Sequence, residues 1–326
     1  MHFGQGKWYP GEQLPRWALS IYWRADGKPC WQDPAVFADE REPSHCTSAD
    51  AQRFMHALTQ HLGLPGDTVL PGYEDTWYYL WRERRLPVNV DPFDARLDDE
   101  MERNRLRRIF SQGLDAVVGY VLPLQPIDPP EGKSPVPTGT QWQTGRWFVR
   151  DERMYLMPGD SPMGWRLPLD SLPWAAPTDR WHMIEQDPFS PHLSTRAALP
   201  AAPIAMQPRH ISASPDASAT TKALAAQNAP AKFQSDPSVV RTALCVEVRD
   251  PNRANGPKVE ADAMAKGEKS GVLYVFMPPL AHLEDYLALV SAVEATARQL
   301  GMKIILEGYP PPRDPRLKLL QVTPDP

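Results

Sequence analysis

The sequence predicts an α+β fold, with a mixed or antiparallel sheet and packed helices, on three observations. Apolar, β-branched and aromatic runs at 18–24 (ALSIYWR), 243–249 (ALCVEVR) and 272–277 (VLYVFM) read as strands. Two amphipathic segments read as helices, one starting after Thr47 or Ser48 and one over 279–300. The C-terminal stretch has the order β-β-α-β-β, which sets a helix on one face of a sheet.

The first stretch, 1–175, opens with polar, aromatic-rich residues at 4–15 and reaches the strand 18–24, closed by the turn pair Asp26-Gly27. In the helix that follows, Phe54, Leu58 and Leu62 share a stripe and Gly63 can stop it. A short helix is predicted at 74–85, with acids at its start and Arg at its end. Another is predicted at 98–112, where Met101, Leu106, Ile109 and Phe110 are available for packing. The apolar run 116–122 reads as a buried strand, and 142–149 with 154–157 as a β-hairpin around Arg150–Arg153.

The second stretch, 176–238, is rich in Ala, Pro, Ser and Thr without an apolar period, and is expected to be a disordered linker. In the third, 239–326, the strands 243–249 and 272–277 should pair across the polar insert 250–270. The helix 279–300 carries the stripe Leu283, Tyr286, Leu287, Val290, Val293, Ala297 and Leu300, and Gly301 can end it. Strands at 303–307 and 317–322 complete the set.

Composition narrows function. The 326 residues are 42% hydrophobic and 23% charged, with a formal net charge of -5. A strongly basic nucleic-acid surface is not indicated. Prolines number 38, well above the usual ~5%, so long uninterrupted helices should be few. The 11 Trp argue for burial or a partner surface rather than a disordered chain. Cys30, Cys46 and Cys245 form no CxxC pair, so neither a zinc knuckle nor a redox dithiol is indicated, and free thiols suit a reducing compartment. The N-terminus lacks the apolar core of a signal peptide, and no apolar run is long enough to span a bilayer. A cytoplasmic protein that binds neither membrane nor nucleic acid is the expectation.

Few residues offer chemistry. On a period-2 strand Cys245, Glu247 and Arg249 face one way, and a carboxylate beside a guanidinium could bind a metal and a phosphate. The alternative is an ordinary solvent-facing sheet surface. The run 307–316 (EGYPPPRDPR) follows a strand, and its three prolines would present Arg313, Asp314 and Arg316 stiffly to phosphate or carboxylate. Equally, it could be a rigid connector whose Arg and Asp pair with each other. Asp325 closes the chain after a strand, where a terminal Asp is ordinarily solvated. Gly4-Gln5-Gly6-Lys7 lacks phosphate-loop spacing, Asp160-Ser161 lacks a nucleophile elbow, and His56 and His61 are not at helical metal-pair spacing.

The segments FGQGKWYPGEQLPRWAL, YEDTWYYLWRERRLPVNVDP, MPGDSPMGWRLPLDSLPW, VFMPPL, LEDYLALVSAVEATA and EGYPPPRDPRL resemble the amidoligase region of bacterial transglutaminase-like multidomain proteins. The resemblance covers the first and third stretches. It implies a glutamine synthetase-like fold for 239–326 and a carboxylate–amine ligase that uses ATP and Mg²⁺ on peptide or amino-acid-like substrates. It makes Glu247 a metal ligand, Arg313 and Arg316 phosphate or carboxylate binders, and Asp314 and Asp325 secondary candidates, with Arg249 beside the nucleotide. Larger family members carry a preceding transglutaminase-like Cys–His–Asp domain, which has no match here. They also continue past TPDP with another Glu and a Gly-rich segment. The chain is therefore expected to be a segment of a larger protein whose other domains complete the site. Two other readings stand beside this one. A non-catalytic protein- or peptide-binding module would use aromatics such as Trp8 and Trp77, and a transglutaminase-like acyltransferase would use Cys46.

Overall fold

The computed structural model describes residues 2–5, 17–39, 42, 44–74, 115–127, 140–145, 147, 154–158, 165–166, 174–176, 178, 231, 233–236, 239–249 and 271–323. In chain order these form β1 (His2–Gln5), β2 (Trp17–Arg24), α1 (Ser48–Leu62), β3 (Leu70–Glu74), β4 (Val117–Pro123), β5 (Gln125–Pro126) and β6 (Trp142–Gln143). They continue with β7 (Met154–Pro158), β8 (Trp165–Arg166), β9 (Ala243–Arg249), β10 (Val272–Met277), α2 (Leu283–Leu300), β11 (Ile304–Gly308) and β12 (Leu317–Val322).

One mixed sheet runs β12-β2-β1-β11-β10-β9-β4-β3-β7-β8, and β5 pairs with β6 apart from it. The fold class is α+β, as the sequence predicts. Strands from both ends of the chain interleave: β1 lies parallel to β11 and antiparallel to β2, and β4 is antiparallel to β9. Consequently β12 reaches the sheet through β2 rather than through β11. The parallel step from β10 to β11 needs a crossover, and α2 supplies it.

The helices end where their residue types require. The Thr47 amide and hydroxyl donate to the Asp50 carboxylate at 2.7 and 2.8 Å, closing the first turn of α1. Gly63 and Gly301 end α1 and α2 at φ 69 and 63, left-handed conformations that a side chain disfavours. The second helix starts at Leu283, not at 279, with His282 as its N-cap. Pro278 and Pro279 hold the chain extended before it.

Both helices pack on one sheet face. Phe54, Met55, Leu58, Val290 and Val293 meet Leu244, Val246, Leu273, Val275 and Ile304 there, and each full burial stabilises by about 1.5–3 kcal/mol. On the other face Val121, Met154 and Leu156 pack with Cys245 and Phe276. Trp147 joins them and donates its indole N–H to the Val240 carbonyl at 2.8 Å.

Two expectations are corrected. Glu74 closes β3 instead of opening a helix, and a register shift at Gly72/Tyr73 interrupts that strand's pairing. Pro71 and Gly72, both poor strand formers, disguise it. The hairpin of 142–149 with 154–157 is replaced by other pairings: β6 joins β5, while β7 joins β3 and β8. Apart from Glu74, the helix expected at 74–85 lies outside the described residues, as do the helix expected at 98–112, the insert 250–270 and most of 176–238. Among the described residues no helix is long and apolar enough to cross a membrane.

Candidate functional site

Strand alternation turns Leu244, Val246 and Val248 of β9 toward the helices, so Cys245, Glu247 and Arg249 point to the opposite face. The register sets Tyr274 of β10 beside Glu247 and Phe276 beside Cys245. Phe276 in turn pairs with Glu307 of β11, which brings a second carboxylate onto the same face. Glu247 and Glu307 are 3% and 4% exposed, so these are buried carboxylates and not a solvated sheet surface.

Arg249 joins them. Its Nε lies 2.6 Å from Glu247 Oε1, and its Nη2 donates to Glu307 Oε2. The guanidinium carbon sits 3.7 Å from the centroid of the Tyr274 ring, a cation–π contact. A buried carboxylate without a counter-charge is costly, and Arg249 supplies one positive charge to both acids on these apolar strands. Burial lowers the Arg249 pKa, but Glu247 and then Glu307 raise it by more, and the guanidinium stays charged. Burial, with the Glu247 charge behind it, pushes the Cys245 thiol well up, so it stays protonated beside the cluster. Gly119 of β4 is paired with Glu247, and a Cβ there would stand 3.2 Å from the Glu247 Cβ and 3.0 Å from the Val246 carbonyl oxygen.

The end of β11 is fixed by Gly308. Its φ is 94, and a Cβ there would lie 2.6 Å from both the backbone nitrogen and oxygen of Met277. The next residue, Tyr309, donates its amide to that oxygen at 3.0 Å. The chain can therefore leave the sheet directly after Glu307 and enter the three prolines.

Beyond them the loop closes on itself. Arg316 is bidentate to Asp314, through Nε at 2.9 Å and Nη2 at 2.6 Å, and its Nη1 reaches Glu284 of α2 at 2.6 Å. That helix covers the sheet face opposite Glu247. The Arg316–Asp314 pair thus acts as a clamp between loop and helix, the connector alternative raised by the sequence. Arg313 is exposed, and Asp325 lies outside the described residues.

Glu307 is the residue that sequence reasoning missed as a site member. The available signal was a carboxylate inside the apolar strand IILEG, the same signal that marks Glu247 in ALCVEVR. Cys46 is half-buried. Its thiol pKa is raised by burial, and the Ser44 hydroxyl donates to its sulfur at 3.8 Å. That direction is opposite to what an acyl-transfer nucleophile needs.

Among the described residues no three His, Cys, Asp or Glu side chains gather as a metal site. Glu247 and Glu307 are nonetheless hard oxygen donors on one face. Magnesium bound with a nucleotide typically uses one or two carboxylates plus phosphate oxygens. The donor chemistry of this pair fits that requirement.

The described residues thus bring two buried carboxylates and a guanidinium together on the sheet face opposite the helices. The chain belongs to the family described as "Putative amidoligase enzyme (DUF2126)", whose family model matches residues 1–326. No curated protein and no solved structure matches the chain.

Proposed function

We propose that the chain contributes the nucleotide and metal side of an ATP-dependent carboxylate–amine ligase acting on peptide or amino-acid-like substrates. The observation that carries this reading is the buried Glu247–Arg249–Glu307 cluster in a chain of the amidoligase family. In this reaction class a substrate carboxylate oxygen attacks the γ-phosphorus of ATP and ADP departs. The amine nitrogen then attacks the acyl phosphate carbon, inorganic phosphate leaves and the nitrogen loses a proton.

Magnesium, when bound, would neutralise phosphate charge. Glu247 and Glu307 would hold it, and Arg249 would orient phosphoryl or carboxylate oxygens with its planar fork. The apolar packing of Phe276, Met154 and Leu156 on the same face would keep water from the acyl phosphate. Arg313, exposed after the prolines, is a further anion-binding candidate. The clamp of Arg316 and Asp314 gives these two a positioning part in the same account.

The test supplies ATP, Mg²⁺, mixed amino acids and short peptides, with hydroxylamine as the amine. Any ADP and hydroxamate that the native chain forms should be absent with Glu247→Gln, and hydroxamate formation that Glu247→Gln leaves intact sinks the reading.

A second reading, a protein- or peptide-binding module, is favoured by one surface. Ile21 and Trp23 of β2 and Leu320 and Val322 of β12 are 40–54% exposed, and the register places them on one sheet face. This reading expects peptide capture without nucleotide, lost in Leu320→Ser. Trp8 and Trp77 lie outside the described residues.

A further inference from the structure

We propose that Arg249 is the resident cation of the Glu247–Glu307 pair, and that a divalent metal takes its place only as a nucleotide draws the guanidinium away. Metal and nucleotide binding would then be coupled by an exchange of cations at one position. The inference rests on the reading of the cluster as a nucleotide and metal site, and it adds how that site is kept closed to free metal.

The geometry supplies the reasons. One guanidinium engages one oxygen of each carboxylate, with Nε on Glu247 and Nη2 on Glu307. A metal seeking both acids meets oxygens already committed to a positive charge. Its own charge would stand within a few ångström of the guanidinium in a buried setting, where like charges repel strongly. Tyr274 adds a second hold, because its ring face lies under the guanidinium at 3.7 Å from the centroid.

Arg249 cannot simply depart, since two buried carboxylates would lose a counter-charge at once. A triphosphate changes both sides of the balance. It offers the planar guanidinium phosphate oxygens that can accept two parallel hydrogen bonds, and it brings the metal that replaces the lost positive charge. By linkage, whatever factor the nucleotide adds to metal affinity, the metal adds to nucleotide affinity.

The experiment is Mn²⁺ binding by electron paramagnetic resonance on the full chain, with and without a non-hydrolysable ATP analogue. It compares native protein, Arg249→Met and Tyr274→Leu, with folding checked by circular dichroism. Native protein is expected to bind Mn²⁺ at least about thirtyfold more tightly with the analogue. In Arg249→Met the analogue-free affinity should rise about tenfold or more, and the coupling should shrink by the same factor. Tyr274→Leu keeps all three charges and loosens only the seat of the guanidinium, so its analogue-free affinity should rise about threefold. This variant keeps the test decisive if Arg249→Met does not fold.

Analogue-free Mn²⁺ affinity that is unchanged or weaker in the folded variants overturns the exchange. So does native protein that binds Mn²⁺ equally with and without analogue. If that binding is also lost in Glu247→Gln, the site reading stands and only the exchange fails. Absence of Mn²⁺ binding under every condition overturns the exchange and the site reading together.

Discussion

Replacing Gly308 by Ala tests the junction that delivers Glu307 to the sheet face, and Gly301→Ala provides its scale. Gly301 sits at φ 63, and a Cβ there would meet no atom within 4 Å, so alanine carries only the left-handed backbone cost of about 1–2 kcal/mol. Gly308 sits at φ 94, outside the left-handed basin, and its Cβ would overlap two backbone atoms of Met277 at 2.6 Å. Backbone atoms in a sheet cannot rotate aside. Backbone strain of about 1–3 kcal/mol and a similar overpacking cost give a total of about 2–6 kcal/mol. That is a large share of a domain stability of about 5–15 kcal/mol. Urea denaturation followed by tryptophan fluorescence gives both values. Hydrogen exchange at the Tyr309 amide, which bonds to the Met277 carbonyl, reads the local effect. A Gly308→Ala loss within about 1 kcal/mol of the Gly301→Ala loss would refute the close approach of β11 to β10 at this point.

Two further outcomes follow from charged contacts. Arg316→Met leaves the Asp314 carboxylate, whose side chain is 1% exposed, without its guanidinium and should cost about 3–5 kcal/mol by urea denaturation. Adding Asp314→Leu should recover most of that loss, and a strictly additive double variant would contradict the clamp. For Asp26, hydrogen bonds from the Arg24 side chain outweigh an opposing desolvation and, helped by the Lys28 amide, lower the pKa from 3.8 to about 2. The folded value lies below the unfolded one. The stabilisation is therefore fully present above 3.8 and is lost as the pH falls through about 2. Carbon NMR of the Asp26 carboxyl should show a midpoint near 2, and a midpoint near 3.8 would remove the pair from the account.

What the sequence reveals here is local, and what it hides is long-range. The first helix was legible because Phe54, Leu58 and Leu62 recur at helical spacing, and Thr47 and Gly63 bracket them. In the second, the stripe and Gly301 were equally clear, while its start was misplaced because a proline fits a first helical turn as well as an extended approach. Glu247 stands out in the sequence by its place in an apolar strand. The alternatives for its face stay open in the sequence because its burial beside Arg249 and Glu307 is a long-range property. Glu307 was overlooked because three prolines and two arginines directly after it drew the chemical reading into the loop. Its pairing with Arg249 depends on the parallel register of β10 and β11, set by a crossover and not by any local pattern. The strands β1 and β3 were missed for related reasons. The first is only four residues long and lies between β2 and the distant β11, and the second carries Pro71 and Gly72.

Calorimetric titration of the full chain with a non-hydrolysable ATP analogue and Mg²⁺ puts the claim for the Glu247–Arg249–Glu307 cluster most directly at risk. Loss of a charged ligand is worth about 1.5–3 kcal/mol, so Glu247→Gln should weaken Mg²⁺-dependent binding by about 10–100-fold. Undiminished binding in a folded Glu247→Gln chain would contradict the account and remove Glu247 from the site.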